Sequence, residues 1–176
     1  RNFSRPFYIN AMTGGTEKAL RINEILARLA RDFNIPMMLG SEKIAVVDKK
    51  FPETFTIARE VNKDGYLIAN VGATANLDVM KKAVDLIDAN AICIHLNAFQ
   101  ELINGEGDRD FTSYMKNIEA ALKYFKLPVI VKECGFGMNQ RNIEDLAKLG
   151  VKYIDISGAG GTNFARIESM ANAAED

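Results

Sequence analysis

Six short apolar runs, each closed by a polar residue, recur along the 176 residues of the chain. They span 8–12 ending at Thr13, 37–40 ending at Ser41, 67–69 ending at Asn70, 92–96 ending at Asn97, 129–131 ending at Lys132 and 153–156 ending at Ser157. Their ends are 28, 29, 27, 35 and 25 residues apart. Two parallel strands need a crossover of a dozen or more residues, and a strand–helix–strand unit takes roughly 30. The spacing therefore predicts successive βα units with one polar side chain at the C-terminal end of each strand.

The gaps carry helical periodicity. Between Glu17 and Phe33, the residues Ile22, Ile25, Leu26, Leu29 and Phe33 fall on one predicted inward face, with Arg21, Glu24, Arg28 and Arg31 on another. Leu77, Met80, Val84 and Ile87 repeat at the same spacing after Asn76, a predicted N-cap. So do Ile118, Ala121, Leu122 and Phe125 after Asp110, and Ile143, Leu146 and Leu149 before Gly150, which reads as a helix-stopping C′ glycine. The weaker unit over 51–62 can turn Phe55, Ala58 and Val61 inward. No linker or low-complexity run divides the chain, so one domain over 1–176 is expected.

The expected fold class is α/β, a (β/α)8 TIM barrel of which this chain covers about six of the eight units. A full barrel takes about 250 residues, or 200 at the short end. Hydrophobic and charged fractions of 48% and 26% are those of a globular protein, and a net charge of −1 points to neither nucleic acid nor membrane. No run approaches the roughly 18 apolar residues of a membrane span. The opening 1–6 has no apolar stretch of the kind a signal peptide carries, so none is expected. Cys93 and Cys134 lie in or beside buried-looking strands, which favours inert thiols in a reducing cytoplasm over a disulfide.

Polar groups at the ends of buried strands cost free energy unless paired or used. Four segments stand out. Residues 11–16 place Gly14 and Gly15 after the first run, either as a tight turn before a helix capped by Thr16 or as backbone that approaches a flat or anionic ligand. In 95–101, His95 and Asn97 are two apart and share one strand face, with Gln100 and Glu101 in the loop beyond. His95 is the only histidine, and Glu101 is an oxygen donor suited to Mg2+. Lys132 either pairs with Glu133 or Asp155 or stabilises a developing anion. The glycine-rich stretch 155–163 can bind phosphate through backbone amides, yet matches neither a P-loop nor a dinucleotide fingerprint. The acidic stretch 104–110 reads as a solvated connection, lacking the order of an EF-hand.

In combination these segments resemble the type 2 isopentenyl-diphosphate isomerase family. The resemblance runs through 10–15, Gly40-Ser41, Asn70-Val71-Gly72, 95–101, 131–137 and 155–163, with Phe164, Ile167 and Glu168 after them. It implies a cytoplasmic, flavin-dependent barrel, homotetrameric or larger, in isoprenoid biosynthesis. It implies interconversion of isopentenyl and dimethylallyl diphosphate with reduced FMN, NADPH as reductant, and Mg2+. By this resemblance Ala11, Met12, Thr13, Ser41, Asn70, Lys132, Ser157 and Thr162 contact FMN, with Lys132 at its N1/O2 edge. His95, Asn97 and Gln100 hold the substrate's diphosphate and allyl carbons and form the catalytic set, and Glu101 binds Mg2+. The partner is a small diphosphate, with no nucleic acid or membrane. The chain departs from the family in lacking a basic pair before Pro6, in lacking the last two βα units, and in carrying Glu42 where Gln is common. Two other readings remain open: an FMN-dependent 2-hydroxyacid oxidase or dehydrogenase, and an inactive phosphate-binding scaffold.

Overall fold

The computed structural model describes residues 2–104, 107, 109–158, 160 and 162–175, with side chains described to Met170. Its sheet has five parallel strands: β1 (Met37–Met38), β2 (Leu67–Gly72), β3 (Ala91–Leu96), β4 (Val129–Glu133) and β5 (Tyr153–Asp155). They lie side by side in chain order. Helices fill the crossovers: α1 (Glu17–Asp32), α2 (Lys43–Val46), α3 (Glu53–Val61), α4 (Leu77–Leu86), α5 (Ala98–Ile103), α6 (Tyr114–Tyr124), α7 (Gln140–Leu149) and α8 (Phe164–Glu175).

This corrects the expected six units of a TIM barrel: the described sheet has five strands and is open, with β1 and β5 as its edges. The run 8–12 forms a single bridge, Ile9 to Met37, rather than a strand. The Ile9 amide donates to the Pro36 carbonyl at 2.9 Å, and the Met38 amide to the Ile9 carbonyl at 2.8 Å. One residue later, Asn10 Oδ1 takes the Ala11 amide at 2.7 Å and bends the chain away. A short polar side chain has out-competed the ladder for the backbone.

Alternation along the strands sorts the sheet's two faces. Leu67, Ala69, Val71, Ile92, Ile94, Val129 and Val131 pack against the helices in the larger core. The concave face holds Met38, Ile68, Ala91 and Cys93, with Tyr8 and Ile130 against them. Tyr8 reaches across this face, and its hydroxyl donates to Asp155 on the opposite edge strand.

Several local expectations hold. Thr16 and Asn76 cap α1 and α4 by accepting the Ala19 and Val79 amides at 3.2 and 3.0 Å. Gly150 ends α7 at φ 104°, where a side chain would be strained. The inward face of α1 does not hold. The helix buries Ala19, Asn23, Ala27 and Ala30, while Ile22, Ile25, Leu29 and Phe33 remain exposed. Small side chains let α1 lie close against α3. Asn23 fastens it by donating to the Thr54 and Thr13 carbonyls at 2.7 and 3.2 Å.

Candidate active site

Strand register assembles the site. Gly72 of β2 pairs with His95 of β3, His95 with Lys132 of β4, and Lys132 with Asp155 of β5. In-register neighbours face the same way, so these four form one row across the concave face. Asn70 and Cys93 form the row beneath. The chain beyond the row supplies Asn97, Cys134 and Ser157, two residues further along their strands. The row opens into a cleft of about 530 Å3.

Ten of the twelve residues named by the resemblance line this cleft: Ala11, Met12, Ser41, Asn70, His95, Asn97, Gln100, Lys132, Ser157 and Thr162. Thr13 and Glu101 do not. Thr13 is a brace: its hydroxyl donates to Asn23 Oδ1 at 2.5 Å, and its carbonyl accepts the Gly40 amide at 3.0 Å. Glu101 lies on α5, a helix where a loop was expected. Sequence reasoning also passed over Asn10, Gly40, Cys134 and Gly135 as lining residues. Their signal was available, since each lies within three residues of a polar residue that ends a run: Thr13, Ser41 or Lys132.

Lys132 is the only cation in the lining among the described residues, and it is buried. Its Nζ donates to the Glu133 carbonyl at 2.8 Å and contacts Cys134 Sγ at 3.8 Å. The two carboxylates considered as its partners are engaged elsewhere. Glu133 Oε2 accepts the Phe136 and Gly137 amides, both at 2.8 Å. Asp155 accepts the Tyr8 hydroxyl and, at 2.9 Å, the Ser157 amide. Among the described residues the ammonium therefore has no carboxylate partner, and an anion in the cleft would supply one.

His95 is held by Asn70, whose Oδ1 lies 2.9 Å from Nδ1. Burial, and then the Lys132 charge, pull its pKa down to about 4, so the ring is neutral at physiological pH. Burial pushes both the Cys93 and Cys134 thiols up, which keeps them protonated and inert, as the sequence suggested. Burial first, and then the hydrogen bond to Asp155, push the Tyr8 phenol up as well.

Over the mouth, Asn97 Nδ2 donates to Gln100 Oε1 at 3.2 Å, and Gln100 Nε2 donates to Glu168 Oε2 of α8 at 3.3 Å. Asn97 Oδ1 is buried with no hydrogen-bond partner among the described residues. Phe99 and Phe136 stack beside it, ring centroids 4.7 Å apart. On the β5 side, Ser157, Gly158 and Gly160 take φ of 53°, 124° and 51°, and Ser157 Oγ accepts the Gly135 amide at 2.9 Å. Ala159 and Gly161 of that glycine-rich stretch lie outside the described residues. So do Gly105, Glu106 and Asp108 of the acidic stretch, where Arg109 donates to the Asn104 and Gly107 carbonyls at 2.7 and 2.9 Å. Among the described residues no three His, Cys, Asp or Glu side chains gather as a metal cluster. No described helix is long and apolar enough to cross a membrane.

The chain is 50% identical over 169 residues to a protein from Geobacillus sp. (strain WCH70), covering 96% of this chain and 48% of that one. It is 48% identical over 169 residues to one from Bacillus cereus (strain ATCC 10987 / NRS 248), with the same coverage. It is 46% identical over 171 residues to one from Staphylococcus aureus (strain JH9), covering 97% and 49%. All three relatives are named isopentenyl-diphosphate delta-isomerase. The chain spans about half the length of the curated relatives it matches. No protein-family model matches it.

Among solved structures, the fold resembles the Amycolatopsis orientalis BexX/CysO complex, at TM-score 0.53 and 17% identity over 96% of this chain and 65% of that one. It also resembles a protein assigned to the dihydrodipicolinate synthase family from Coccidioides immitis, at TM-score 0.55 and 15% identity over 83% and 49%. At these identities the likeness concerns architecture alone.

Proposed function

We propose that this chain forms the cleft of a type 2 isopentenyl-diphosphate delta-isomerase that works with reduced FMN and Mg2+. The observation that carries the reading is the convergence of ten expected ligand-binding residues on one cleft, in a chain whose relatives bear that activity's name.

The residues present suit a flavin. Lys132 is a buried cation without a carboxylate partner among the described residues, matching the anionic edge of a reduced isoalloxazine ring. Ser41, Asn70, Ser157 and Thr162 offer polar groups around it, and Met12 offers an exposed apolar face. Bound there, reduced FMN would supply the proton donor and acceptor that isomerisation needs. The chain's own residues orient the substrate. Asn97 presents its unsatisfied Oδ1, and Gln100, held between Asn97 and Glu168, fixes the alkene's position. For Mg2+, a single protein carboxylate with diphosphate oxygens and waters would suffice; the resemblance gives that role to Glu101, which lies on α5 outside the cleft lining. The protein is read as cytoplasmic and homo-oligomeric, with NADPH as the source of reducing equivalents.

The test is a visible spectrum of the protein carrying this sequence, taken with FMN, then after dithionite and after isopentenyl diphosphate with Mg2+. Dimethylallyl diphosphate should form only when the flavin is reduced. Flavin binding without isomerisation would move the reading to 2-hydroxyacid oxidation, and failure to bind flavin would overturn both.

A further inference from the structure

We propose that Asn70 is a positioning residue that locks His95 in the Nδ1-protonated tautomer, so that Nε2 faces the cleft as a hydrogen-bond acceptor. Asn70 Nδ2 donates to the Leu39 carbonyl at 3.1 Å, and that oxygen can only accept. The amide is thereby oriented with Oδ1 toward His95, 2.9 Å from Nδ1. An amide oxygen can only accept, so Nδ1 carries the proton. With the ring neutral, Nε2 holds a lone pair.

Two further observations make this a built arrangement. Glu42 grips the backbone of Asn70 from both sides: its amide donates to the Asn70 carbonyl at 2.9 Å, and its Oε1 accepts the Asn70 amide at 3.3 Å. Asn70 therefore has little freedom to turn over. Opposite, Gly72 leaves room at the reactive nitrogen, because a Cβ there would stand 3.3 Å from Nε2. Nε2 has no hydrogen-bond partner among the described residues, and His95 lines the cleft.

The consequence for the ligand is chemical. A neutral imidazole offering a lone pair repels an unprotonated phosphate oxygen and welcomes a donor, such as a hydroxyl, an imide N–H or a metal-bound water. In the isomerase reading this leaves the anionic charge to Lys132 and backbone amides and gives His95 a different partner. The tautomer itself does not rest on that reading, and the experiment below uses no ligand.

Because His95 is the only histidine in the sequence, imidazole 15N spectra of the labelled protein report one ring. Wild type at neutral pH should show a protonated Nδ1 and a bare Nε2. An Nε2-protonated ring or an imidazolium overturns the proposal. Asn70→Ala should release the ring toward the Nε2-protonated form favoured by an unconstrained histidine side chain, and an unchanged tautomer in the folded variant overturns the relay. Should Asn70→Ala not fold, Asn70→Asp decides. Its carboxylate keeps Nδ1 protonated and adds a facing negative charge, so the His95 titration should move up in pH, and an unmoved titration overturns the proposal.

Discussion

Replacing Glu42 by Gln should stabilise the protein at neutral pH, by an amount that grows as pH rises. Glu42 is fully buried, and among the described residues its Oε2 has no hydrogen-bond partner and its Oε1 accepts only the Asn70 amide. Burial raises its pKa well above the ordinary 4.5, and the Asn70 hydrogen bond lowers it less than burial raises it. The sign follows from linkage. The folded chain keeps a proton that the unfolded chain releases above 4.5, so stability is full below that value and declines as pH climbs toward the folded pKa. While the proton is retained, each pH unit above about pH 5 costs about 1.4 kcal/mol. Gln has nearly the same shape, carries no titrating proton and still accepts the Asn70 amide. Urea unfolding of both proteins across that range should give a stability difference with this slope. A difference independent of pH would falsify the reasoning, because it would mean that Glu42 is ionised in the fold.

Three more outcomes follow from the site and its walls. Lys132→Met should raise the melting temperature, by the equivalent of about 1–3 kcal/mol, since it removes a buried cation that lacks a carboxylate, while flavin affinity measured by fluorescence quenching falls. His95, with its pKa down at about 4 against 6.5 unfolded, makes stability drop as pH falls between those values, by up to about 3 kcal/mol; in His95→Gln, acid denaturation curves should lose that component. Gly40→Ala should destabilise by about 3 kcal/mol in urea melts, because its Cβ would stand 2.5 Å from the Thr13 carbonyl oxygen; a loss below about 1 kcal/mol would mean that this loop yields.

The apolar runs announced β2, β3, β4 and β5 almost to the residue, because buried parallel strands are apolar on both faces and little else in the chain is. The polar residues that end these runs, Asn70, Asn97, Lys132 and Ser157, all line the cleft, although only Lys132 stands in the row of His95 and Asp155. What escaped was decided by partners distant in sequence. The first run has a strand's composition, yet Asn10 turns it into a lone bridge. The periodicity of α1 located the helix but misassigned its inner face, since contact with α3 favours Ala27 and Ala30 over the larger Ile25 and Leu29. Residues 98–103 read as a loop because six residues are too few for a helical period to show. The role of Glu42 was unreadable, because a glutamate just after a strand is ordinarily solvated, and only the packed chain reveals its burial.

The contact between Tyr8 and Asp155 spans 147 positions of sequence, from the approach to the first strand to the end of the last. Closing so long a loop is entropically expensive unless the intervening units have already folded and brought the two edges together. The bond is therefore a late event on the folding pathway, absent while the sheet is still being laid down. Tyr8→Phe should leave the folding limb of the chevron in place and speed unfolding by roughly fivefold, the full effect of about 1 kcal/mol falling on one limb. This hydrogen bond then governs how long the assembled protein lasts rather than how quickly it forms.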